Sequence, residues 1–437
     1  MILNKNILSI ELNEINHEWL EFYANSSKLN NIKKILQLNK VVTTSETNYR
    51  NLEPWIQWPT FYSGKSFNKH KCFHLGDSLN KKYYSIYDFF QDQGFSVLAF
   101  APMNCTFNPI NDSVLIHDPW SSSGVINANN DLKKLWDAIS FFVNENSNKS
   151  FKLSYAVTIF LNLIKYMRLT NICLYSKLLF MSVFFKWARA IFLDLFLFDI
   201  FISLIKKNKY KYASVFLNAG AHIQHHYLYD SKFYRSINGQ HKNPLSYSSR
   251  LTKYFDPLFQ VYNMYDKVAG DILQLSNINN VSISTGLQQE INPTPYFQYR
   301  IKNYQRFFNL FKLKFSSYEK KMSRDVYIYF KNKNDLNIST NIFKAFTINK
   351  KPLFEVWPSN SEKSLFVKFV FGGSFSQLKN VQFQNRTINL CNHFIIVSIE
   401  NAIHQSEGWH YNNFHKFEEK KIPLKNLAKL LFSSLRK

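Results

Sequence analysis

The sequence is poor in cysteine, glycine and proline. Its 437 residues include 4 Cys, 11 Gly and 12 Pro, a composition that excludes collagen-like and low-complexity chains. The four cysteines lie far apart in the chain and form no Cys-x-x-Cys pair. This spacing argues against a disulfide scaffold and against a structural zinc site.

Acidic residues are also scarce, with 30 Asp and Glu against 54 Lys and Arg and a net charge of +24. Such an excess attracts polyanions, which include nucleic acid, anionic lipid headgroups and phosphorylated glycans. AT-rich codon usage is an alternative source, because Asn, Lys, Ile, Phe and Tyr are all abundant. The basic residues are dispersed and form no nucleic-acid-binding motif, so nucleic acid is the partner we expect least.

No signal-peptide pattern is found at the amino terminus. The short apolar segment there is followed by Glu11 and Glu14, and no small-residue cleavage site is present. We therefore expect a cytoplasmic location.

Hydrophobic residues make up 46% of the chain and aromatic residues 17%, which predicts a folded protein with a large core. The most apolar part, residues 151–207, is interrupted by Lys186, Arg189, Asp194 and Asp199. At 100° per residue these charges lie on all sides of a helix, which suits neither a membrane span nor one interfacial helix. We expect a buried helical insertion, with peripheral contact with a membrane surface as the alternative.

Strand-like and helix-like segments alternate over the first two-thirds of the chain, beginning with a strand over 7–12. This alternation predicts an α/β fold with a doubly wound, mostly parallel sheet flanked by helices. We divide the chain into a first part of the core (1–150), the apolar helical insertion (151–207), a second part of the core (208–295) and an aromatic-rich C-terminal portion that completes the core (296–437).

Polar side chains follow four of the predicted strands. In open α/β sheets ligands bind beyond the carboxyl ends of the strands, so we expect these groups to meet in one pocket. They are Glu11, Asn13 and Glu14 after the first strand, His222, Gln224, His225 and His226 after VFLNAG, Gln288 and Gln289 after VSIST, and His404, Glu407 and His410 after FIIVSI.

Two of these segments permit more than one interpretation. The histidines of HIQHH are suited to bind a transition metal or to act as general bases, and the alternative is hydrogen bonding within the loop. The first segment would bind a metal, act as a base or hold sugar hydroxyls, unless Asn13 or Asn16 caps the following helix.

The segment WPTFYSGKS contains SGKS but is not a phosphate-binding P-loop, because Pro59 occupies the position of the required glycine. Nucleotide binding by that route is excluded. The neighbouring tryptophans, Trp58 among them, would stack on sugar rings or bases, or pack in the core.

Five blocks of the sequence resemble the alkaline phosphatase superfamily, which includes sulfatases and nucleotide pyrophosphatase/phosphodiesterases. The similarity is to a poorly characterised bacterial branch. The matching residues are Asn13 at the end of a strand, Ser63-Gly64 before a helix, Asn218 and His222 in place of the family's Asp-x-x-x-His, Ser284-Thr285-Gly286 in place of its Asp-His-Gly, and Gly408-Trp409-His410 in place of its final Gly-x-His.

This resemblance implies an alkaline-phosphatase-like hydrolase or transferase for a phosphorylated or glycan-type substrate. The family holds two metals with three Asp and three His, and the substitutions leave at most one divalent metal here, Zn or Mn. Its ligands would be Asn13, Asn218, His222 and His410.

The resemblance and the strand-end groups together give the remaining candidates. The catalytic candidates are Glu14, Glu53, Thr60, His225 and His226. The substrate-binding candidates are Glu11, Trp58, Gln224, Gln288, Gln289, His404 and Glu407. The alternative function is a non-catalytic protein of this fold that binds an anionic glycan or lipid headgroup.

Overall fold

The structure of the chain is a computed structural model that describes residues 5–48, 51–121, 125–145, 152–238, 252–276, 279–320, 325–359 and 361–433. It contains two compact units. The first runs up to Ile291 and resumes at Ala402, and the second comprises Asn292–Asn401.

The strands and helices of both units are numbered along the chain. The strands are β1 (Ile7–Leu12), β2 (Asn39–Thr44), β3 (Val97–Phe100), β4 (Val114–Ile116), β5 (Val125–Ile126), β6 (Tyr212–Leu217), β7 (Asn280–Ser284), β8 (Gln288–Ile301), β9 (Ser317–Lys320), β10 (Asp325–Tyr329), β11 (Phe346–Ile348), β12 (Lys351–Pro352), β13 (Phe354–Ser359), β14 (Ser364–Phe369), β15 (Val381–Phe383), β16 (Arg386–Ile388), β17 (Phe394–Gln405), β18 (Glu407–Asn412) and β19 (Lys421–Pro423). The helices are α1 (His17–Ser26), α2 (Asn30–Leu36), α3 (Pro54–Ser63), α4 (Phe67–His70), α5 (Ile86–Asp92), α6 (Asn130–Glu145), α7 (Leu153–Tyr166), α8 (Ile172–Phe184), α9 (Lys186–Lys207), α10 (Ala219–Tyr227), α11 (Lys232–Asn238), α12 (Thr252–Phe255), α13 (Pro257–Leu275), α14 (Tyr304–Leu310), α15 (Lys333–Lys344) and α16 (Asn426–Ser433).

The first unit is built on a nine-stranded sheet with the order β19-β2-β18-β7-β1-β6-β3-β4-β5. Strand β1 is parallel to both β6 and β7, and β3 is parallel to β6 and β4. Strand β18 runs antiparallel to β2 and β7, and β5 runs antiparallel to β4. The sheet is therefore mixed and mostly parallel, and β1 has the bounds that the sequence predicts.

Helices cover both faces of this sheet. On one face Phe100 of β3 packs against Trp136 of α6 and Phe201 of α9. On the other face Tyr62 of α3 donates a hydrogen bond to Glu11 of β1. The register pairs Phe100 with Val215 and Glu11 with Phe216. Because successive residues of a strand point to opposite faces, Phe100 and Glu11 lie on opposite faces of the sheet. The predicted α/β class, with helices flanking a mostly parallel sheet, is confirmed.

Local sequence signals begin several of these helices. The Asn16 side chain accepts a hydrogen bond from Trp19 N (3.0 Å) and caps α1, so of the two capping candidates Asn16 fills this position. Ser85 and Asp88 form a reciprocal capping box at the start of α5. Such caps satisfy backbone N–H groups that have no partner inside the helix.

The apolar insertion forms α7, α8 and α9, and its two aspartates are buried. Asp194 accepts hydrogen bonds from Ala219 N (2.7 Å) and Tyr265 Oη (2.8 Å), which fixes the start of α10. Asp199 pairs with Arg168 Nε at 2.6 Å and accepts from Asn171. In the described part of the chain no single helix is long and apolar enough to cross a membrane. The segments Leu153–Tyr166 and Leu169–Phe184 are long and apolar enough only when they are taken together, and they are bent by 114° relative to each other.

The second unit has its own aromatic core. The unit contains two four-stranded antiparallel sheets, in the orders β13-β14-β10-β9 and β12-β11-β15-β16. Phe307 of α14, Phe346 of β11 and Phe354 of β13 are buried in this core. Residues 402–433, which the sequence placed with this portion, are part of the first unit, because β18 pairs with β2 and β7.

Candidate functional site

The loop after β1 supplies the first groups of the site. Asn13 N donates to Leu217 O (3.0 Å) and Glu14 N donates to Thr285 O (3.0 Å), so the ends of β6 and β7 hold this loop. Glu14 has a φ of +58°, a conformation that costs a non-glycine residue about 1–2 kcal/mol. Residues held in such conformations concentrate at functional sites.

Three ligand-type atoms meet beside this loop: Glu14 Oε2, His225 Nε2 and His404 Nε2. Glu14 Oε2 lies 3.0 Å from His225 Nε2 and 3.1 Å from His404 Nε2, and the two imidazole nitrogens are 3.2 Å apart. We call these three residues the Glu14 cluster. Among the described residues it is the group of His, Cys, Asp and Glu side chains that is compact enough to hold a metal ion.

The outer nitrogen of each imidazole faces an acceptor. His225 Nδ1 lies 2.8 Å from Ala402 O, and since a carbonyl oxygen only accepts, Nδ1 carries the proton. His404 Nδ1 faces Glu53 Oε2 at an ion-pair distance of 3.6 Å. With its outer nitrogen held in this way, each imidazole in its neutral form would offer its Nε2 lone pair to a metal ion, as in metal-ligating histidines.

The Glu14 carboxylate is held by amide side chains. Asn13 Nδ2 donates to Oε1 (2.8 Å) and Gln289 Nε2 donates to Oε2 (2.5 Å). Gln224 Nε2 donates to the backbone oxygen of Glu14 (2.8 Å). These bonds fix both the position of the loop and the orientation of its carboxylate.

The charges of the Glu14 cluster are coupled. Burial alone would raise the pKa of Glu14, but the charge of His404 and the hydrogen bonds from His225 and His404 hold it well below its ordinary value of 4.5. Burial alone would lower the pKa of His404, but Glu14 and Glu53 raise it above its ordinary value of 6.5. A cation, either the His404 proton or a metal ion, therefore stabilises the close approach of Glu14 Oε2 to the two imidazole nitrogens.

Asn13 joins several of the blocks that carry the family resemblance. Its Nδ2 donates to Asn218 Oδ1 (2.8 Å), and its Oδ1 accepts from Trp58 Nε1 (2.7 Å). Gly286, with a φ of +73°, leaves the space that Trp58 fills, because a Cβ there would lie 2.9 Å from the indole. A Cβ on Gly408 would lie 2.6 Å from Gly286 O.

Two of the four predicted metal ligands lie beside the Glu14 cluster, and two have other surroundings. Asn13 and Asn218 bond each other next to it. His222 is exposed on α10, with its ring 4.7 Å from that of His226. His410 is buried, its Nδ1 lies 2.8 Å from Ser284 Oγ, and burial lowers its pKa to about 3. The set of Asn13, Asn218, His222 and His410 stays a prediction, whereas the geometry groups different residues.

Three further candidates have partners outside the Glu14 cluster. Thr60 Oγ1 donates to Ile56 O (3.2 Å) and lies 3.0 Å from His70 Nε2. Glu11 is completely buried and accepts from Tyr62 Oη (2.5 Å), so the structure places it in the core rather than at a surface. Glu407 pairs with Lys421 Nζ at 2.5 Å.

A cleft of about 440 Å³ lies along the other side of the Gln288–Gln289 segment, a volume in the range of small-molecule sites. His17 stacks on Trp409 there, with ring centroids 4.0 Å apart. Gln288 Nε2 donates to Gln405 Oε1 (2.7 Å) at the wall of the cleft. Gln288, a predicted substrate-binding residue, thus lines this cleft, while Gln289 faces Glu14.

Every side chain of the Glu14 cluster was among the polar groups expected to meet in one pocket, but the three were not predicted to form one metal-ligand set. Glu14 and His225 were predicted as catalytic and His404 as substrate-binding. The Ala402 carbonyl, which orients His225, was missed. The only available signal was weak: Ala402 and His404 are two residues apart and share one side of β17.

No protein-family model matches the chain, and no curated protein matches it. Among solved structures, murine ectonucleotide pyrophosphatase/phosphodiesterase 5 matches at 9% identity and a TM-score of 0.42, over 99% of this chain and 95% of its own. The phosphonoacetate hydrolase of Sinorhizobium meliloti 1021, in complex with phosphonoformate, matches at 9% identity and a TM-score of 0.40, over 100% and 96%. The alkaline phosphatase of the Antarctic bacterium TAB5 matches at 10% identity and a TM-score of 0.40, over 99% and 98%. An alkaline phosphatase, from the superfamily that the sequence resembles, is thus among the solved structures to which this chain is similar.

Proposed function

We propose that this protein is a metal-dependent hydrolase or transferase that acts on a phosphorylated substrate at the Glu14 cluster. The observation that carries the proposal is the convergence of one carboxylate oxygen and two imidazole nitrogens within 3.2 Å of one another. The substrate class is supported by the sequence resemblance to the alkaline phosphatase superfamily. The net charge of +24 would attract an anionic substrate.

The donor set fits a single divalent ion. Two imidazoles and one carboxylate are ligands that Zn²⁺ accepts, and three protein ligands are typical of catalytic zinc sites. Mn²⁺ is the other candidate, because it accepts imidazole and carboxylate ligands. The Ala402 carbonyl and the Glu53 carboxylate occupy the outer positions in which such histidines are usually hydrogen-bonded.

A divalent ion held there would supply Lewis-acid chemistry by polarising a phosphoryl oxygen of the substrate. The protein groups have separate tasks. Gln289 and Asn13 keep the Glu14 carboxylate in position. Glu53, near His404 Nδ1, keeps a proton on that nitrogen. Because Thr60 bonds Ile56 and His70, we assign the nucleophilic role to water or an acceptor molecule rather than to this hydroxyl.

The position of Thr60 is also the observation that favours the second candidate, a non-catalytic protein that binds an anionic glycan or lipid headgroup. Such a protein would bind the ligand without turnover. Metal content and turnover distinguish the two functions.

The experiment is metal analysis of the purified full-length protein after incubation with Zn²⁺ or Mn²⁺, with p-nitrophenyl phosphate and bis(p-nitrophenyl) phosphate as substrates. We expect one bound ion per chain and hydrolysis of at least one of the two esters. Glu14→Gln and His404→Ala should each lose the ion, whereas His393→Ala, which removes a histidine of the second unit, should retain it.

His222→Ala separates the two ligand sets. Retention of the ion in this variant supports the Glu14 cluster, and its loss would contradict it in favour of the set predicted from the sequence. Stoichiometric metal without turnover of any phosphoester would favour the non-catalytic candidate.

A further inference from the structure

Helices α7 and α8 present large apolar side chains to solvent. Among the described residues 21 large hydrophobic side chains are exposed, and eleven of them lie between positions 153 and 184. The most exposed of these eleven are Leu169 (82%), Val183 (71%) and Phe180 (70%). The others are Leu153, Val157, Phe160, Leu161, Ile164, Ile172, Leu179 and Phe184.

These side chains follow the helical repeat. In α7 the exposed apolar positions 153, 157, 160, 161 and 164 share one face, and in α8 positions 172, 179, 180, 183 and 184 do the same. The opposite faces are buried, with Leu163 and Tyr166 in α7 and Tyr175, Leu178 and Met181 in α8. Each helix is therefore apolar on both sides, and its outward face contributes nothing to the core of the first unit.

This surface carries a net positive charge. Residues 146–193 contain no Asp or Glu. The exposed basic residues in the described part of this stretch are Lys152, Lys165, Lys177, Lys186 and Arg189, and of these Lys165 pairs with the exposed Asp131 of α6 at 3.1 Å. Exposed apolar patches of this size mark interaction sites, and the charge selects an anionic partner.

We propose that α7 and α8 dock on the anionic surface of a lipid bilayer. The outward Leu, Val, Ile and Phe side chains would enter the boundary between headgroups and acyl chains, and the lysines would reach the phosphates. Each basic residue near an anionic leaflet adds to the attraction. A surface location agrees with the bend of 114° between these segments.

Charge also argues against a second copy of the chain as the occupant. A symmetric dimer would place the same patch on both sides of the interface. Two surfaces with a net positive charge repel each other, so the bilayer is the occupant that the residues favour.

The test is flotation of the full-length protein with phosphatidylcholine vesicles that contain or lack phosphatidylglycerol. We expect binding to the anionic vesicles, weaker binding to phosphatidylcholine alone, and a decrease as salt rises. The double variant F180E/V183E should lose at least about tenfold in partitioning, because two apolar side chains that enter the bilayer in the wild type become charged. Ile338→Glu, at an exposed apolar position (48%) of the second unit, is the matched control and should bind like the wild type.

Cys173 gives a second readout, because it is exposed on α8 while Cys391 lies in the second unit. An environment-sensitive fluorophore on Cys173 should shift to the blue on addition of anionic vesicles, and one on Cys391 should not. The proposal is overturned if the wild type binds neither vesicle or if F180E/V183E binds as well as the wild type. A wild-type dimer that F180E/V183E dissociates, without vesicle binding, would assign the surface to a second copy. Metal content of these variants should be unchanged, so the outcome is independent of the function proposed for the Glu14 cluster.

Discussion

Glu14 Oε2 and His404 Nε2 lie 3.1 Å apart in the first unit, although 390 positions separate the two residues in the chain. The side chains are 3% and 12% exposed, and each shifts the pKa of the other toward its charged form. The loop after β1 and the end of β17 thus form one electrostatic unit.

Glu53→Gln should weaken binding of Zn²⁺ or Mn²⁺ by about 10–100-fold, the usual loss when an outer partner of a ligating histidine is removed. The reason is that Glu53 Oε2 faces His404 Nδ1 at 3.6 Å and favours the tautomer whose Nε2 lone pair is free. Competition with a chromophoric chelator measures the affinity. Glu419→Gln, an exposed carboxylate of the same unit, is the control, and equal affinities in the two variants would refute the role of Glu53.

Glu11→Gln should change how stability depends on pH. Burial raises the pKa of Glu11 from 4.5 to about 8, so between these values the folded protein keeps a proton that the unfolded chain releases. The Glu11 contribution to the free energy of unfolding is therefore full below pH 4.5 and falls as pH rises toward 8, by about 1.4 kcal/mol per pH unit.

Denaturant titrations from pH 5 to pH 8 measure this effect. The amide variant should lose less stability than the wild type over that range, and Glu419→Gln should follow the wild type. Parallel pH curves for the wild type and Glu11→Gln would show that the Glu11 carboxyl ionises in the folded protein as it does in water.

Asp199→Ala should lower the free energy of unfolding by about 3–5 kcal/mol, because it leaves Arg168 partly buried without one of its carboxylates. Asp199 also accepts hydrogen bonds from Asn171 and Tyr175. Urea unfolding measures the change. Asp131→Ala removes an exposed carboxylate that pairs with Lys165 and should cost less than about 1 kcal/mol, so a similar cost for both variants would contradict a structural role for the Asp199 network.

Gly286→Ala should destabilise the protein by about 1–3 kcal/mol, because the new methyl group both opposes a φ of +73° and meets Trp58 at 2.9 Å. Gly94 offers a matched control, since it has a φ of +80° but no atom within 4 Å of an added Cβ. The difference between Gly286→Ala and Gly94→Ala isolates the contact with Trp58. If the two variants unfold at the same denaturant concentration, the Trp58 side chain moves away from the new methyl group without a loss of stability.

The sequence alone predicts the α/β class, because helical and extended periodicities are local properties. Strand β1 was predicted at its observed bounds for the same reason. The polar groups at strand ends were also identified, since parallel strands bring their carboxyl ends to one edge of the sheet. That Glu14, His225 and His404 form one ligand set within this pocket was not predicted, because it depends on the path of β17 and on a single turn of α10.

Residue types and their spacing determined the fold class, the apolar insertion and the pool of candidate site residues in this protein. Only the tertiary structure decided which of those residues share a site, which face of α7 and α8 remains at the surface, and that Asp194 and Asp199 serve the core. The physical reason is distance along the chain. Hydrogen bonds between residues hundreds of positions apart form only when the whole sheet assembles, and no local pattern encodes their geometry.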